Sequence, residues 1–375
     1  METKISITSK GYELLEEWYH EMLAQHIEKA SILKIEADNI FNKVKENTDS
    51  FIYYSLLRFR YQMLKGNFEK GLEGLEYIKG MPDGLLKYYY HFFKFIYATE
   101  VGNYNSAEKH LESASDLLDM MSDEKEKAEY NYRVALYKYY ISQPTLAINY
   151  ATKALDYFSS HEGYETKKGA CENTLGMACI TLEQFELAEE YLISALNMFQ
   201  KLDEQSLVLK VRSNLGVLYA EQNLSDSAIR HLEEVYKACQ HTKLHYQRRV
   251  LFLLAREHIK LKQHNDATFY IKEGLKDCNQ EYSYHLNILD CNQEYSYHLN
   301  ILECINNNES IEKLEEIVNE SLSYFQEQEL WKDIQIYTEL LAGKWYNVGA
   351  KEKACEYYRL GHEARTLLKE KGRLK

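Results

Sequence analysis

Small residues return along this chain at a nearly constant interval, always in the same phase of an apolar helical pattern. Ala107, Ala147, Ala188, Ala228 and Ala267 stand 40, 41, 40 and 39 residues apart. Twelve positions before them come Phe95, Ala135, Gly176, Gly216 and Ala255. Four and seven positions after come pairs such as Leu111 with Ala114, Leu192 with Ala195 and Leu232 with Val235. Residues at i, i+4 and i+7 line one helix face, and a small residue on each of two helices lets their axes approach closely. The spacing predicts a repeating pair of antiparallel helices.

Turn formers fall where such pairs need them, in Gly102-Asn103-Tyr104-Asn105, Ser142-Gln143-Pro144-Thr145 and Gln222-Asn223-Leu224-Ser225. Pro144 sits at a helix start, where its missing N–H costs no helical hydrogen bond. A last copy aligns on Ala354, with Ala342 and Trp345 before it and Tyr358 and Gly361 after it. These offsets match the tetratricopeptide-repeat (TPR) pattern, whose usual period is about 34 residues. The longer interval here implies helices extended by about a turn. The expected fold is all-α: an N-terminal three-helix bundle followed by a right-handed TPR superhelix of about seven helix pairs over residues 85–375, with a concave wall suited to a ligand.

One disturbance breaks the register. Asp277 to Leu289 reads DCNQEYSYHLNIL, and Asp290 to Leu302 reads it again. The next repeat aligns on Leu314, 47 residues after Ala267, and removing one copy leaves 34. The reading adopted is a slippage duplication absorbed by lengthening a helix pair and its loop, rather than a selected extra binding turn.

Before Pro82 the interval is lost, but amphipathic helices are expected over Thr8 to Gln25, Glu28 to Val44, Ser50 to Lys65 and Phe68 to Ile78. Residues 1–80 therefore read as a separate bundle, joined to the array around Gly80-Met81-Pro82-Asp83-Gly84. Glu46-Asn47-Thr48-Asp49-Ser50 interrupts the apolar period and ends in helix-capping residues, so it should be an exposed turn.

Composition agrees and narrows the function. Two prolines and 16 glycines in 375 residues leave too few turn residues for a many-stranded fold. A net charge of -13 disfavours a phosphate backbone as partner, and the short basic run Arg248-Arg249 reads as a solvated helix face. No nucleic acid or membrane partner is expected, and the polar start of the chain points to a soluble, cytoplasmic protein. The seven cysteines lack a C-x-x-C pair and read as small core residues in a reducing compartment. His241 and His245 lack the carboxylate pattern of a metal site, and no phosphate loop or nucleophile elbow is present. No metal or cofactor is expected. The clusters Tyr88-Tyr89-Tyr90 and Tyr137 with Tyr139-Tyr140 should mainly pack between helices.

Several blocks, in order, resemble a known family. Leu15-Glu16-Glu17-Trp18-Tyr19, Glu46-Asn47-Thr48-Asp49, Tyr53-Tyr54-Ser55-Leu56-Leu57 and Phe59-Arg60 are similar to the N-terminal bundle of the Rap family, response-regulator aspartate phosphatases of Gram-positive bacteria. The likeness continues through Gly84-Leu85-Leu86-Lys87-Tyr88-Tyr89-Tyr90, Glu126-Lys127-Ala128-Glu129-Tyr130, Asn149-Tyr150-Ala151 and Ala154-Leu155-Asp156, and so covers nearly the whole chain. The resemblance implies a bundle that grips a bacterial response regulator and a TPR domain that closes around a short Phr-type signalling peptide. The protein would then be a quorum-sensing switch.

The same resemblance implies the site residues. Phosphatases of the family use a glutamine in the turn after the second helix to orient an attacking water, and the aligned residue here is Thr48. Its hydroxyl is shorter than an amide arm, which points to regulator sequestration rather than hydrolysis. Glu46, Asn47, Thr48, Phe51 and Tyr54 are the expected regulator-binding residues. Asn214 occupies the position of a peptide-anchoring asparagine, and Asn173 repeats it one pair earlier; such an amide gives and takes one backbone hydrogen bond. Thr181 stands where the family has an acidic residue that faces the peptide. Two other readings stay open: an active aspartyl-phosphate phosphatase relying on Thr48 or Asn47, and a plain TPR scaffold.

Overall fold

The computed structural model describes residues 9–41, 48–68, 72, 75, 84–118, 120–239, 247–276 and 286–372. Among them the regular structure is seventeen α-helices, with no strand. Three come first: α1 (Ser9–Ala24), α2 (Ile27–Phe41) and α3 (Asp49–Leu64). Seven consecutive pairs follow. They are α4 (Gly84–Glu100) and α5 (Tyr104–Leu118), α6 (Glu124–Tyr140) and α7 (Pro144–Ser159), α8 (Glu165–Thr181) and α9 (Phe185–Lys201), and α10 (Gln205–Glu221) and α11 (Ser225–Cys239). The last three are α12 (Gln247–Lys260) and α13 (His264–Lys276), α14 (Leu286–Asn306) and α15 (Ile311–Glu327), and α16 (Trp331–Asn347) and α17 (Lys351–Gly372). The helix expected over Phe68 to Ile78, apart from Phe68, Leu72 and Leu75, and the joint at 80–83 lie outside the described residues, as do His241 and His245.

The repeat register has a direct physical cause. Ala107, Ala147, Ala188, Ala228, Ala267, Leu314 and Ala354 are each the fourth residue of a second helix, and all are buried. Opposite them the first helices come so close that a Cβ at Gly216 would lie 2.5 Å from Leu232 Cγ, and one at Gly176 2.6 Å from Leu192 Cγ. Neither position accepts a side chain without moving its leucine.

Backbone geometry sets the turn inside each pair. Two residues past the ends of α4, α6, α8, α10, α12 and α16 the chain is left-handed, at Gly102, Ser142, Glu183, Asn223, Lys262 and Gly349. The next amide then returns to the carbonyl five residues back: Gln143 to Lys138 at 2.8 Å, Gln184 to Cys179 at 2.9 Å, Leu224 to Tyr219 at 2.8 Å and Ala350 to Trp345 at 3.0 Å. This Schellman closure satisfies the last carbonyls and starts the second helix at a fixed offset.

The chain divides into two compact units, Met1–Tyr137 with Asn149–Thr174, and Lys138–Ile148 with Leu175–Lys375. In the first, Leu15, Trp18 and Met22 of α1, Ala30, Ala37 and Phe41 of α2, and Leu56 and Phe59 of α3 form the bundle core. Aromatic rings join α3 to α4, with Tyr53 stacked on Tyr89 at 5.4 Å and Phe59 5.8 Å from Tyr97. Of the two tyrosine clusters, Tyr88, Tyr89 and Tyr137 are buried, Tyr90 and Tyr139 are half-buried and Tyr140 is exposed, so full burial between helices holds for three of the six rings.

A charged cluster also lies inside the first unit. The Glu129 carboxylate on α6 is 1% exposed and takes hydrogen bonds from Arg133 Nε at 2.8 Å, Lys167 Nζ of α8 at 2.5 Å and Arg60 Nη2 of α3 at 3.3 Å. Burial alone would raise its pKa, but Lys167, Arg133 and Arg60 together hold it down at about 2. One turn earlier, Glu126 accepts the Tyr19 hydroxyl at 2.7 Å and the Tyr88 hydroxyl at 3.2 Å. Burial pushes the Glu126 carboxyl up to about 8.

In the second unit the pairs α10 to α17 bury two apolar clusters, and α14 contributes to both from the second copy of the duplicated segment, with Leu299 and Leu302 in one and Ile301 in the other. Leu299 fills the space left by Gly274, where a Cβ would lie 2.5 Å from its Cδ1. Arg248 and Arg249, expected as a solvated face, are instead half-buried at the start of α12. On α17 the outward positions are mostly charged.

Candidate functional site

The turn before α3 ends in a helix cap. Thr48 has extended backbone (φ -87, ψ 151), and its Oγ1 accepts the Phe51 N–H at 3.3 Å. Threonine suits this role because its short hydroxyl reaches back to the N3 amide, and Asp49 adds negative charge to the first turn. The Thr48 hydroxyl is thus engaged by its own helix, although the residue is exposed.

The other bundle residues differ in what they present. Phe51 is half-buried, with its ring 6.2 Å from Tyr54. Tyr54 is 2% exposed; its ring stacks on Phe41 at 4.9 Å, and its hydroxyl donates to Asp38 Oδ1 at 2.6 Å. Glu46 and Asn47 lie outside the described residues. Sequence reasoning missed an apolar ridge on α2. Ala30, Ala37 and Phe41 bury one side of this helix, while Ile32, Ile35 and Ile40 are exposed on the other. Isoleucines at i and i+3 opposite a row of alanines are a signal that could have been read.

The candidate peptide residues stand on first helices of pairs. Asn173 is half-buried on α8, in the first unit. Thr181, the last residue of α8, is exposed, and its hydroxyl donates to the Met177 carbonyl at 3.2 Å. Asn214 is buried on α10, in the second unit.

Within that second unit the first helices turn charged side chains toward one another. Lys332 at the start of α16 reaches Glu221 at the end of α10, 111 residues away, with Nζ 2.9 Å from Oε2. Arg256 of α12 lies 4.0 Å from the same carboxylate and donates from Nε to Glu257 at 2.9 Å. His298 of α14 is 3.9 Å from Asp333 and 2.6 Å from the Tyr337 hydroxyl. Burial works against the Glu221 charge, but Lys332 and Arg256 outweigh it and lower its pKa, whereas burial raises that of Asp333. Glu221 follows Asn214 by seven residues, two helical turns, so both share the face that α10 turns toward α12 and α16. An asparagine amide can give and take one backbone hydrogen bond each. Glu221, Arg256 and Lys332 escaped the sequence reading because their partners are remote in the chain.

Among the described residues no group of three or more His, Cys, Asp or Glu side chains could hold a metal, and no helix is long and apolar enough to cross a membrane.

Comparison with known proteins places these features in context. Residues 9–65 match the family model described as response regulator aspartate phosphatase H, N terminal, and residues 170–241 match a tetratricopeptide-repeat model. Response regulator aspartate phosphatase I of Bacillus subtilis (strain 168) is 27% identical over 369 residues, covering 95% of this chain and 90% of that protein. The crystal structure of a Rap protein complexed with Competence and Sporulation Factor shares the fold at a TM-score of 0.80, with 23% identity over 96% of this chain and 99% of that one. The Rap conjugation gene regulator of plasmid pLS20 in complex with the Phr* peptide shares it at 0.65, with 19% identity over 96% of each chain.

Proposed function

We propose, from the premise that this chain belongs to the Rap family of TPR-containing response-regulator phosphatases and regulatory proteins, that it is a quorum-sensing regulator acting by occupation of its target. In this reading residues 1–80 bind a bacterial response regulator, and the TPR array of residues 85–375 binds a short Phr-type peptide that controls that grip. The regulator-facing residues are Glu46, Asn47, Thr48 and Phe51, with Tyr54 fixing the turn of α3 from below through Asp38. The exposed isoleucines of α2 offer apolar surface on the same bundle. Asn173, Thr181 and Asn214 are the residues this reading assigns to the peptide, Thr181 lacking the acidic charge that the resemblance implies there.

The observation that carries sequestration over hydrolysis is Thr48. Water orientation for in-line attack needs a polar group projected from the surface at a set distance. Thr48 is short, and its oxygen already serves the Phe51 amide. Support for the peptide ligand comes from relatives of the same fold solved with Competence and Sporulation Factor and with Phr* peptide.

The test mixes the purified chain with phosphorylated response regulators and follows both complex formation by gel filtration and loss of the aspartyl phosphate. A stable complex whose phosphate decays at the regulator's own rate is expected. Accelerated decay with the wild-type chain would replace this reading with active phosphatase, and no complex with any regulator would leave a plain scaffold.

A further inference from the structure

Three buried cations from three helices share Glu129: Arg60 of α3, Arg133 of α6 and Lys167 of α8. Lys167 is fully buried and Arg60 is 2% exposed. A further anion, Glu100, lies 3.4 Å from Arg133 and is partly in solvent. Glu126 adds little negative charge at neutral pH, because burial holds it protonated. Three cations thus crowd one carboxylate in a site where water screens little, and they repel one another.

Their bonds are unequal. Lys167 holds Oε2 at 2.5 Å, Arg133 holds Oε1 at 2.8 Å, and Arg60 reaches the oxygen already taken by Arg133 at 3.3 Å. The bundle's own cation is the least well satisfied of the three.

We infer that Glu129 is a shared counter-ion for which α3 and α8 compete, so that withdrawing Lys167 draws Arg60 onto Glu129 and tightens the packing of α3. A carboxylate offers room for two close charge-assisted donors on each oxygen, but mutual repulsion among three cations limits how many approach closely. Asn173 lies six residues beyond Lys167 on the same rigid helix, about 9 Å along its axis. A ligand that shifts α8 at Asn173 thereby alters the hold on the bundle. That last link rests on Asn173 being a peptide contact, as proposed above; the competition itself does not.

The test needs neither peptide nor partner. Amide hydrogen exchange is measured over α3, with α10 and α11 as internal reference, in wild type, Lys167→Gln, Lys167→Met, Arg60→Met and Arg60→Met/Lys167→Gln. Both Lys167 variants are expected to slow exchange in α3 by about threefold or more, leaving α10 and α11 unchanged. Arg60→Met should speed it, and Lys167→Gln should have no effect on α3 once Arg60 is gone. A purely structural ion cluster gives the opposite sign, since losing a buried partner loosens its surroundings. Unchanged or faster α3 exchange in the Lys167 variants overturns the inference. So does general loss of protection in both, because removing a competitor must leave the cluster satisfied.

Discussion

Replacing Thr48 by glutamine tests the proposed loss of hydrolysis, and its structural cost follows from the cap. The Thr48 hydroxyl satisfies one of the four amides that open α3. Losing such a cap costs about 0.5–2 kcal/mol. Here the bond is long, 3.3 Å, and the residue is exposed. Asp49 also remains to complement the helix dipole. Both place the loss near the lower end, about 0.5–1 kcal/mol. Urea unfolding of Thr48→Ala, Thr48→Asp and Thr48→Gln measures it, with hydrogen exchange at the Phe51 amide as the local probe. Alanine and glutamine should lose about that amount and speed the Phe51 amide, while aspartate, an equally good cap, should stay within a few tenths of wild type. The loss is small against a typical domain stability of about 5–15 kcal/mol, so Thr48→Gln stays folded and any phosphatase activity it gains is interpretable. Thr48→Ala with wild-type stability and an unchanged Phe51 amide would refute the cap and, with it, the claim that the hydroxyl is already in use.

Three further outcomes are expected. Gly216→Ala should destabilise by about 1–3 kcal/mol through overpacking against Leu232, whereas Gly343→Ala, also inside a helix but with open space around the added methyl, should stabilise by up to about 1 kcal/mol; thermal melts of the two side by side decide it. Glu126 binds its proton more tightly folded than unfolded, so its contribution is present below the unfolded pKa near 4.5 and is lost as pH rises through about 8. Relative to Glu126→Gln, wild-type stability should fall from pH 5 to 8 by up to about 1.4 kcal/mol per unit, and parallel urea profiles for the two would contradict it. Deleting residues 277–289 should leave the fold intact with a melting shift within about 4 °C, because His298, Leu299, Ile301 and Leu302 of the second copy make the described core contacts of α14. A non-cooperative melt would show that both copies are needed.

What was legible in the chain followed from steric necessity. A helix pair packed as closely as Gly216 on Leu232 cannot hide its small residues, so their interval marked the array and even the position of Leu314 after the duplication. The buried charges were not legible, for the opposite reason. Glu129, Arg60 and Lys167 look like the solvent faces of amphipathic helices, because periodicity assigns a charge to water unless its partner is known. The partners here are 69 and 38 residues from Glu129. Tyr54 shows the same limit on a smaller scale, its place in the sequence suiting a contact surface while its ring lies beneath that surface, on Phe41.

The turns within the pairs carry a consequence for how such a protein changes over time. Their reversal is held by main-chain groups, at residues as different as Ser142, Glu183 and Lys262. Selection on the turn therefore reads conformation more than side-chain identity, and substitutions there are nearly silent in the architecture. Turns of this kind tolerate wide divergence, and this chain is 27% identical to response regulator aspartate phosphatase I over 369 residues. The same looseness would let a 13-residue insertion such as the second reading of DCNQEYSYHLNIL be taken up between one pair and the next without disturbing either.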